Sequence, residues 1–201
     1  MNEIKLKGTI RDIQPSHIVG DVEYDKANLI VRRNDIYEDV IGLRFKKFTN
    51  TYKEDQEISL LGNVRSYSRQ TEDGKNKVDI YVFTYFDVPE EELEDNRNVF
   101  NVDGRICKLD GIRTLENGKK NIHFILANNL VVGEDGQKLN SYLPCIAWGN
   151  VAKQIEKLSV NTKICVHGRL QSREYRKKIS DTEFELRVAH EVYVESFEVL
   201  E

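Results

Sequence analysis

The chain has 201 residues, of which 39% are hydrophobic and 32% are charged, a composition that excludes a disordered protein. It contains no apolar run long enough to span a membrane and opens without a signal segment, so we expect a cytoplasmic protein with no membrane partner. The net charge of −4 does not by itself favour a nucleic-acid ligand. The charge is uneven, however: residues 1–95 carry −6 and residues 96–201 carry +2. Phosphate contacts depend on local patches more than on total charge.

Alternating apolar residues predict ten strands in two series of five. The first series is residues 3–13, 27–31, 40–45, 58–69 and 77–88, and the second is 99–109, 122–127, 143–148, 164–175 and 183–200. Each series has a glycine inside its first strand (Gly8, Gly104) and its fourth strand (Gly62, Gly168). A glycine inside a strand marks a bend at which a small barrel turns a corner. The repeated order predicts an internal duplication.

The two series are separated by residues 89–98, PEEELEDNRN, which are acidic and nearly devoid of apolar side chains. We interpret this segment as a solvated linker, the alternative being an acidic tract that mimics nucleic acid. The predicted organisation is an N-terminal domain at 1–88, a linker at 89–98 and a C-terminal domain at 99–201.

The second series contains one further element. Val151, Ala152, Ile155 and Leu158 recur at helical spacing after its third strand, which predicts a short helix that closes one end of a barrel. The matching segment of the first series is too short and too polar for more than a turn. The predicted fold class is all-β, with two tandem OB-fold barrels (five-stranded Greek-key barrels), the second having a short α-helix between its strands 3 and 4.

The strand at 164–175 carries the strongest functional signal. Its inner face is apolar, whereas Arg169, Arg173 and Tyr175 share the outer face. Two arginines and a tyrosine on one exposed face favour an anionic polymer with aromatic rings, which is single-stranded nucleic acid. The first series repeats this pattern, and we expect its binding residues on one strand face at Arg65, Tyr67 and Arg69. Alternation groups Phe45 with the core and turns Arg44 and Lys46 toward the ligand.

The strand at 142–148 places Tyr142, Pro144, Ile146 and Trp148 on its outer face. Trp148 either stacks on bases or packs in the core or at a subunit interface, and the pattern leaves both readings open. Two basic clusters lie in predicted loops around the barrel groove, and they are either phosphate contacts or ordinary solvated hairpin charges. They are Lys119 with Lys120, and Arg176 with Lys177 and Lys178.

Catalytic and metal-binding signals are missing from the sequence. Cys107, Cys145 and Cys165 are odd in number and form no CxxC pair, so we expect reduced packing thiols. The four histidines show no metal-ligand spacing, and neither a phosphate-binding glycine loop nor a nucleophile motif occurs. The sequence therefore predicts no enzymatic activity, no cofactor and no metal.

The C-terminal half resembles the bacterial and phage single-stranded DNA-binding protein family. The resemblance rests on the opening VDGRI, on IHFILAN, on YLPCIAWGNVAKQIEKL, on ICVHGRLQSREY and on the closing AHEVYVESFEVL. It implies aromatic platforms at Tyr142, Trp148 and Tyr175, with Arg169 and Arg173 beside the last, and it adds Arg105 in the opening strand. A further aromatic residue of the family, expected near Val132, is absent.

The resemblance also implies assembly and partners. Family members commonly have one barrel per chain and four chains per assembly, so two barrels per chain suggest a homodimer that presents four. Replicative members recruit other replication or recombination proteins through a long acidic tail, whereas this sequence ends directly after its last predicted strand.

The expected function is largely sequence-independent binding of single-stranded DNA in replication, repair or recombination. The C-terminal barrel would be the main site, and the N-terminal barrel would extend the groove or mediate assembly. The alternative is a protein-interaction scaffold or primosome-like accessory subunit with weak nucleic-acid binding.

Overall fold

The computed structural model of the chain describes residues 1–48, 51–70, 74, 76–87, 98–132, 137–180 and 183–200, with backbone alone for residues 76, 86, 87, 132 and 177. These residues form eleven β-strands and one short α-helix. The elements are β1 (Asn2–Val19), β2 (Val22–Arg32), β3 (Glu38–Lys46), β4 (Glu57–Gln70), β5 (Asn76–Asp87), β6 (Asn98–Leu109), β7 (Arg113–Thr114), β8 (Lys120–Val132), β9 (Gln137–Trp148), α1 (Gly149–Ile155), β10 (Lys163–Lys178) and β11 (Phe184–Val199).

The first five strands close into a ring, which we call the N-terminal ring. Strand β1 pairs antiparallel with β2 and with β4, β2 pairs with β3, and β4 pairs with β5. A short parallel ladder between β3 and β5, at Leu43 opposite Val82, completes the circuit. This ladder has only two residue pairs, so the ring closes over a short part of the edges of β3 and β5.

Strands β6, β8, β9, β10 and β11 pair in the same cyclic order and form the C-terminal ring. Strand β6 pairs with β8 and β10, β8 pairs with β9, and β10 pairs with β11, all antiparallel. The parallel ladder is here between β9 and β11, at Cys145 opposite Val192. The all-β class, the ten predicted strands and the repeat of their order are confirmed, with boundaries that shift by up to six residues and with one short strand, β7, that was not predicted.

The glycines of the repeat lie where two strands approach too closely for a side chain. A Cβ on Gly104 would lie 2.6 Å from the carbonyl oxygen of Ala127 on the neighbouring strand. In the corresponding place of the N-terminal ring, a Cβ on Gly8 would lie even closer to the carbonyl oxygen of Ile30. Real Cβ atoms do not come so close, so glycine is needed at this bend in both halves.

The core follows the predicted alternation. Leu143, Cys145 and Ala147 of β9 are buried, and Phe45 belongs to the core at 1% exposure. Helix α1 buries Ala152 and Ile155, with Val151 and Leu158 packed against the core from the side. The predicted helix is confirmed, but it ends at Ile155, so Leu158 of the predicted apolar face packs against the core from beyond the helix.

The two rings share one continuous sheet because β1 pairs antiparallel with β6, from Asn2 opposite Val102 to Leu6 opposite Asn98. Asn2, only 8% exposed, donates from Nδ2 to the carbonyl of Val64 and to Oδ1 of Asn128, each at 2.8 Å. Its Oδ1 accepts the Val64 N–H at 2.9 Å. Of the predicted acidic linker, residues 89–97 lie outside the described residues, and Asn98 is the first residue of β6.

Candidate nucleic-acid interface

The outer wall of the C-terminal ring is built from four neighbouring strands, and one row of side chains crosses it. The ladders place His123 opposite Ile146, Ile146 opposite Tyr193, and Tyr193 opposite Arg169. Trp148 lies two residues beyond Ile146 and therefore on the same face. Ile146 is on the predicted outer face but is only 3% exposed, because its neighbours in the row lie against both of its sides.

A groove of about 830 Å³ lies over this wall, and we call it the C-terminal groove. One side is the loop between β7 and β8, another is the start of α1, and the floor comes from β10 and β11. The lining includes five cationic side chains and two aromatic rings and, of the described residues, no carboxylate. These seven are Arg33, Lys119, Lys120, Lys153, Arg169, Trp148 and Tyr193.

Arg169 is a cation of the groove that is held by a ring and by a carboxylate. Its guanidinium carbon lies 3.7 Å from the centroid of the Tyr193 ring, and its Nη1 donates to Glu195 Oε1 at 2.9 Å. Its buried Nε has no hydrogen-bond partner among the described residues. A cation held over a ring, with a donor unused, can turn to an incoming phosphate.

Glu195 reaches Arg169 because of a β-bulge. In the ladder between β10 and β11, His167 pairs with Ser196 and Gly168 pairs with Val194. Glu195 is therefore the extra residue of β11, with no partner on β10. The Glu195 carboxylate therefore occupies Arg169, a cation of the groove lining, and would compete with an anionic ligand for it.

Arg33 contributes to the groove from the other half of the chain. It donates from Nε to Asp39 Oδ2 at 3.0 Å and from Nη2 both to Asp39 Oδ1 and to the carbonyl of Ser172, the last at 3.1 Å. The hydrogen bond with Asp39 raises the pKa of the guanidinium above its ordinary value. Asp39, 1% exposed, also accepts the Ser172 N–H at 2.7 Å. This cluster fixes β10 against the N-terminal ring.

Other predicted residues of β9 and β10 lie outside the groove lining. Arg173 is half-exposed, with Nε 3.4 Å from Glu191 Oε1 and its guanidinium 5.7 Å from the centroid of Tyr175. Tyr142, 46% exposed, donates its backbone N–H to Ser66 Oγ of the N-terminal ring at 2.7 Å. Arg173 and Tyr175 lie on the long hairpin of β10 and β11, whereas Tyr142 lies on β9.

Of the remaining binding residues predicted in the C-terminal half, some line the C-terminal groove and others lie outside it. Lys119 and Lys120 line the groove, whereas Arg176 and Lys178 are exposed beyond it on the hairpin. The side chain of Lys177 lies outside the description. Arg105 is exposed and donates from Nη1 to the carbonyl of Asn161 at 2.9 Å, and it is not a groove residue.

The N-terminal ring has a smaller groove of about 400 Å³. Arg44 lines it and lies 4.2 Å from the centroid of Tyr81 and 4.9 Å from that of Tyr67. Two cations, Lys26 and Arg44, are offset there by Asp12 and Asp79. This groove therefore has weaker net attraction for phosphate.

The other predicted residues of the N-terminal ring are also held by partners. Arg65 stacks on Phe83 at 3.8 Å, and Arg69 pairs with Asp79 at 2.5 Å. Burial alone would raise the pKa of Asp79, but hydrogen bonds from Arg69 and Lys77 outweigh it and lower the pKa.

Sequence reasoning missed Arg33, Lys153 and Tyr193. Tyr193 could have been found from the sequence, because alternation along β11 turns Val192 and Val194 into the core and Tyr193 to the outer face. No sequence pattern marked Arg33. Its position in the groove depends on how the two rings meet.

Within the described ranges, no group of three or more possible ligands could hold a metal ion, and no helix is long and apolar enough to cross a membrane. Burial lowers the pKa of His123, which lies on the outer wall of the C-terminal ring but outside the groove lining. Burial raises the pKa values of Cys107, Cys145 and Cys165, so these thiols stay protonated at pH 7.

Comparison with solved structures gives a match over the whole chain. The crystal structure of the single-stranded DNA binding protein from Thermus aquaticus has a TM-score of 0.69 and 20% sequence identity, with 100% of this chain and 93% of that one covered. A deletion mutant of the same Thermus aquaticus protein gives a TM-score of 0.70 and 18% identity, with coverages of 100% and 94%. At these identities the likeness establishes the fold.

Sequence comparisons identify the family. Comparison with curated proteins gives no significant match. The profile of the Single-strand binding protein family matches residues 97–200, slightly more than half of the chain. The chain therefore belongs to the single-strand binding protein family and binds single-stranded DNA.

Proposed function

We propose that each closed ring is an OB barrel, so that the chain is a tandem OB-fold protein, and that the C-terminal groove is its main binding site for single-stranded DNA. The observation that carries this proposal is the groove lining, which has five cations, two rings and, of the described residues, no carboxylate. Such a groove attracts a phosphate backbone and offers ring faces to unpaired bases.

The chemistry of the lining favours binding with little sequence preference. Lys119, Lys120 and Lys153 are flexible point charges that contact phosphates regardless of the base attached. Trp148 and Tyr193 present ring faces, and every base has a face that can stack on them. Arg169, released from Glu195, supplies a further phosphate contact.

The surfaces beyond the groove extend the same path. Arg173, Tyr175 and Arg176 on the hairpin would contact nucleotides that leave the groove. In the N-terminal half, Arg65, Tyr67 and Arg69 would either extend binding or take part in assembly. A homodimer would present four barrels and act in the cytoplasm during replication, repair or recombination, alongside other replication or recombination proteins.

The experiment is a titration with oligo-dT that follows the fluorescence of Trp148, the only tryptophan, at two salt concentrations. Stacking on Trp148 should quench its fluorescence, and added salt should weaken binding strongly. The Trp148→Ala variant, followed by anisotropy of a labelled oligonucleotide, should lose about 1–3 kcal/mol of binding free energy.

The groove proposal has a clear negative outcome. An unchanged affinity of Trp148→Ala, together with a changed assembly state in sedimentation, would place Trp148 at a subunit interface instead. Replacing Phe48, an exposed aromatic residue outside the groove lining, with alanine is the matched control, because it also removes a ring without changing the charge.

A further inference from the structure

A second cavity lies at the seam between the two rings, and we call it the seam cleft. Its volume is about 420 Å³. One wall is the end of β2 with Arg33, a second is the start of β6, and the third is the part of β10 around Gly168. The lining is Val31, Arg32, Arg33, Asp39, Asn98, Val99, Asn101, His167, Gly168, Arg169 and Glu195.

The charges of the seam cleft leave an excess of positive groups. Asp39 is engaged by Arg33 and by the Ser172 N–H, and Glu195 is engaged by Arg169. Arg32 is exposed and has no ion pair or hydrogen bond among the described residues, although Glu38 lies opposite it in the ladder with β3. Three arginines therefore face two carboxylates, and Arg32 is the unpaired one.

The remaining lining suits phosphate rather than a base. No Phe, Tyr or Trp among the described residues lines the seam cleft, so a base would find no ring to stack on. Asn98 is already committed, because its amide donates to the Leu170 carbonyl at 2.6 Å and accepts the Leu170 N–H at 3.0 Å. His167 Nδ1 lies 2.8 Å from Asn101 Oδ1.

The seam cleft and the C-terminal groove share part of their walls. Arg33 and Arg169 line both cavities, so a strand that leaves the groove at Arg169 enters the seam cleft directly. The Nη1 of Arg33 has no partner in the described part of the chain and remains available as a donor.

We infer that the seam cleft is a phosphate-binding site in which Arg32 and Arg33 of the N-terminal half hold the backbone of the strand whose bases occupy the C-terminal groove. The inference rests on the proposed function of that groove. By this inference the DNA strand first contacts the N-terminal half at the end of β2, and not at the hairpin of β4 and β5. Phosphate contacts fix the course of the strand, while the rings of the groove hold its bases.

The test uses Arg32→Ala, because Arg32 is exposed and its loss leaves no buried charge unpaired. Binding of labelled oligo-dT is measured by anisotropy over a series of lengths from about 4 to about 32 nucleotides, which spans the usual occupancy of one and of two OB barrels. The matched control is Lys53→Ala, which removes an exposed cation of the same half that lines none of the three described cavities.

We expect Arg32→Ala to bind the shortest strands as the wild type does and to bind longer strands more weakly. For those longer strands the slope of log K against log salt should fall by about 0.7, the value for one lost phosphate contact. Arg32→Lys should restore most of the affinity, because a point charge still binds phosphate. Lys53→Ala should follow the wild type at every length.

Two results would overturn the inference without touching the proposed function. One is wild-type affinity of Arg32→Ala at all lengths. The other is a loss of affinity that is as large for the shortest strands as for the longest, which would mean that Arg32 acts through long-range electrostatic attraction and not through a contact in the seam cleft. Failure of the wild-type protein to bind any strand would instead refute the proposed function of the groove.

Discussion

Replacing Glu195 with glutamine separates the charge of this residue from its shape. The Glu195 carboxylate lies 2.9 Å from Arg169 Nη1, with the two side chains 56% and 22% exposed. A phosphate must displace it to reach Arg169, so the carboxylate opposes binding in two ways. It forms an ion pair that has to be broken, and it repels the phosphate that takes its place.

Both contributions are of modest size. A partly exposed ion pair contributes about 0.2–1 kcal/mol. Repulsion between two unit charges about 6 Å apart in water is about 0.7 kcal/mol. Together they predict that Glu195→Gln gains about 1 kcal/mol of binding free energy, or about fivefold in affinity. The salt slope should steepen by up to about 0.7, because Arg169 becomes free to neutralise one phosphate.

The assay is anisotropy of a labelled oligo-dT at several salt concentrations. The matched control is Glu198→Gln, which makes the same charge change on the same strand at an exposed residue that lines neither the groove nor the seam cleft. Unchanged or weaker binding by Glu195→Gln would refute the competition between carboxylate and phosphate. An equal gain in affinity for Glu198→Gln would show that the gain comes from the lower net negative charge and not from the position of Glu195 beside Arg169.

Two further predictions concern the fold. Asn2→Ala should lower the free energy of unfolding by about 1–3 kcal/mol, because it removes the acceptor of the Val64 N–H and the Asn2 donor to Oδ1 of Asn128 at the seam. Differential scanning calorimetry should show a Tm lower by about 2–4 °C for each kcal/mol, and an unchanged Tm would contradict the bridging role. Gly104→Ala should be destabilised by at least about 1–3 kcal/mol, because its Cβ would overlap a neighbouring carbonyl. Gly42→Ala is the control, since a Cβ there meets nothing within 4 Å, and equal stability of the two variants would refute the close-approach argument.

The sequence by itself determined the strands, their faces and the repeat. Side chains alternate along any strand, so the burial of Leu143, Cys145 and Ala147 follows from local backbone geometry. The helix after Trp148 follows in the same way from its apolar spacing, and the repeated glycines mark the bends of the two rings. Lys119, Lys120, Trp148 and Arg169 were identified because they lie on or beside those elements.

Tertiary structure decided which of these residues share one groove. Arg33 lines it beside Arg169 only because β1 pairs with β6 and Asp39 engages Ser172, contacts between segments more than ninety residues apart. The same packing places Tyr142 against the N-terminal ring and outside the groove lining. Periodicity reports which face of its own strand a residue occupies, whereas contacts between distant segments depend on how whole sheets meet.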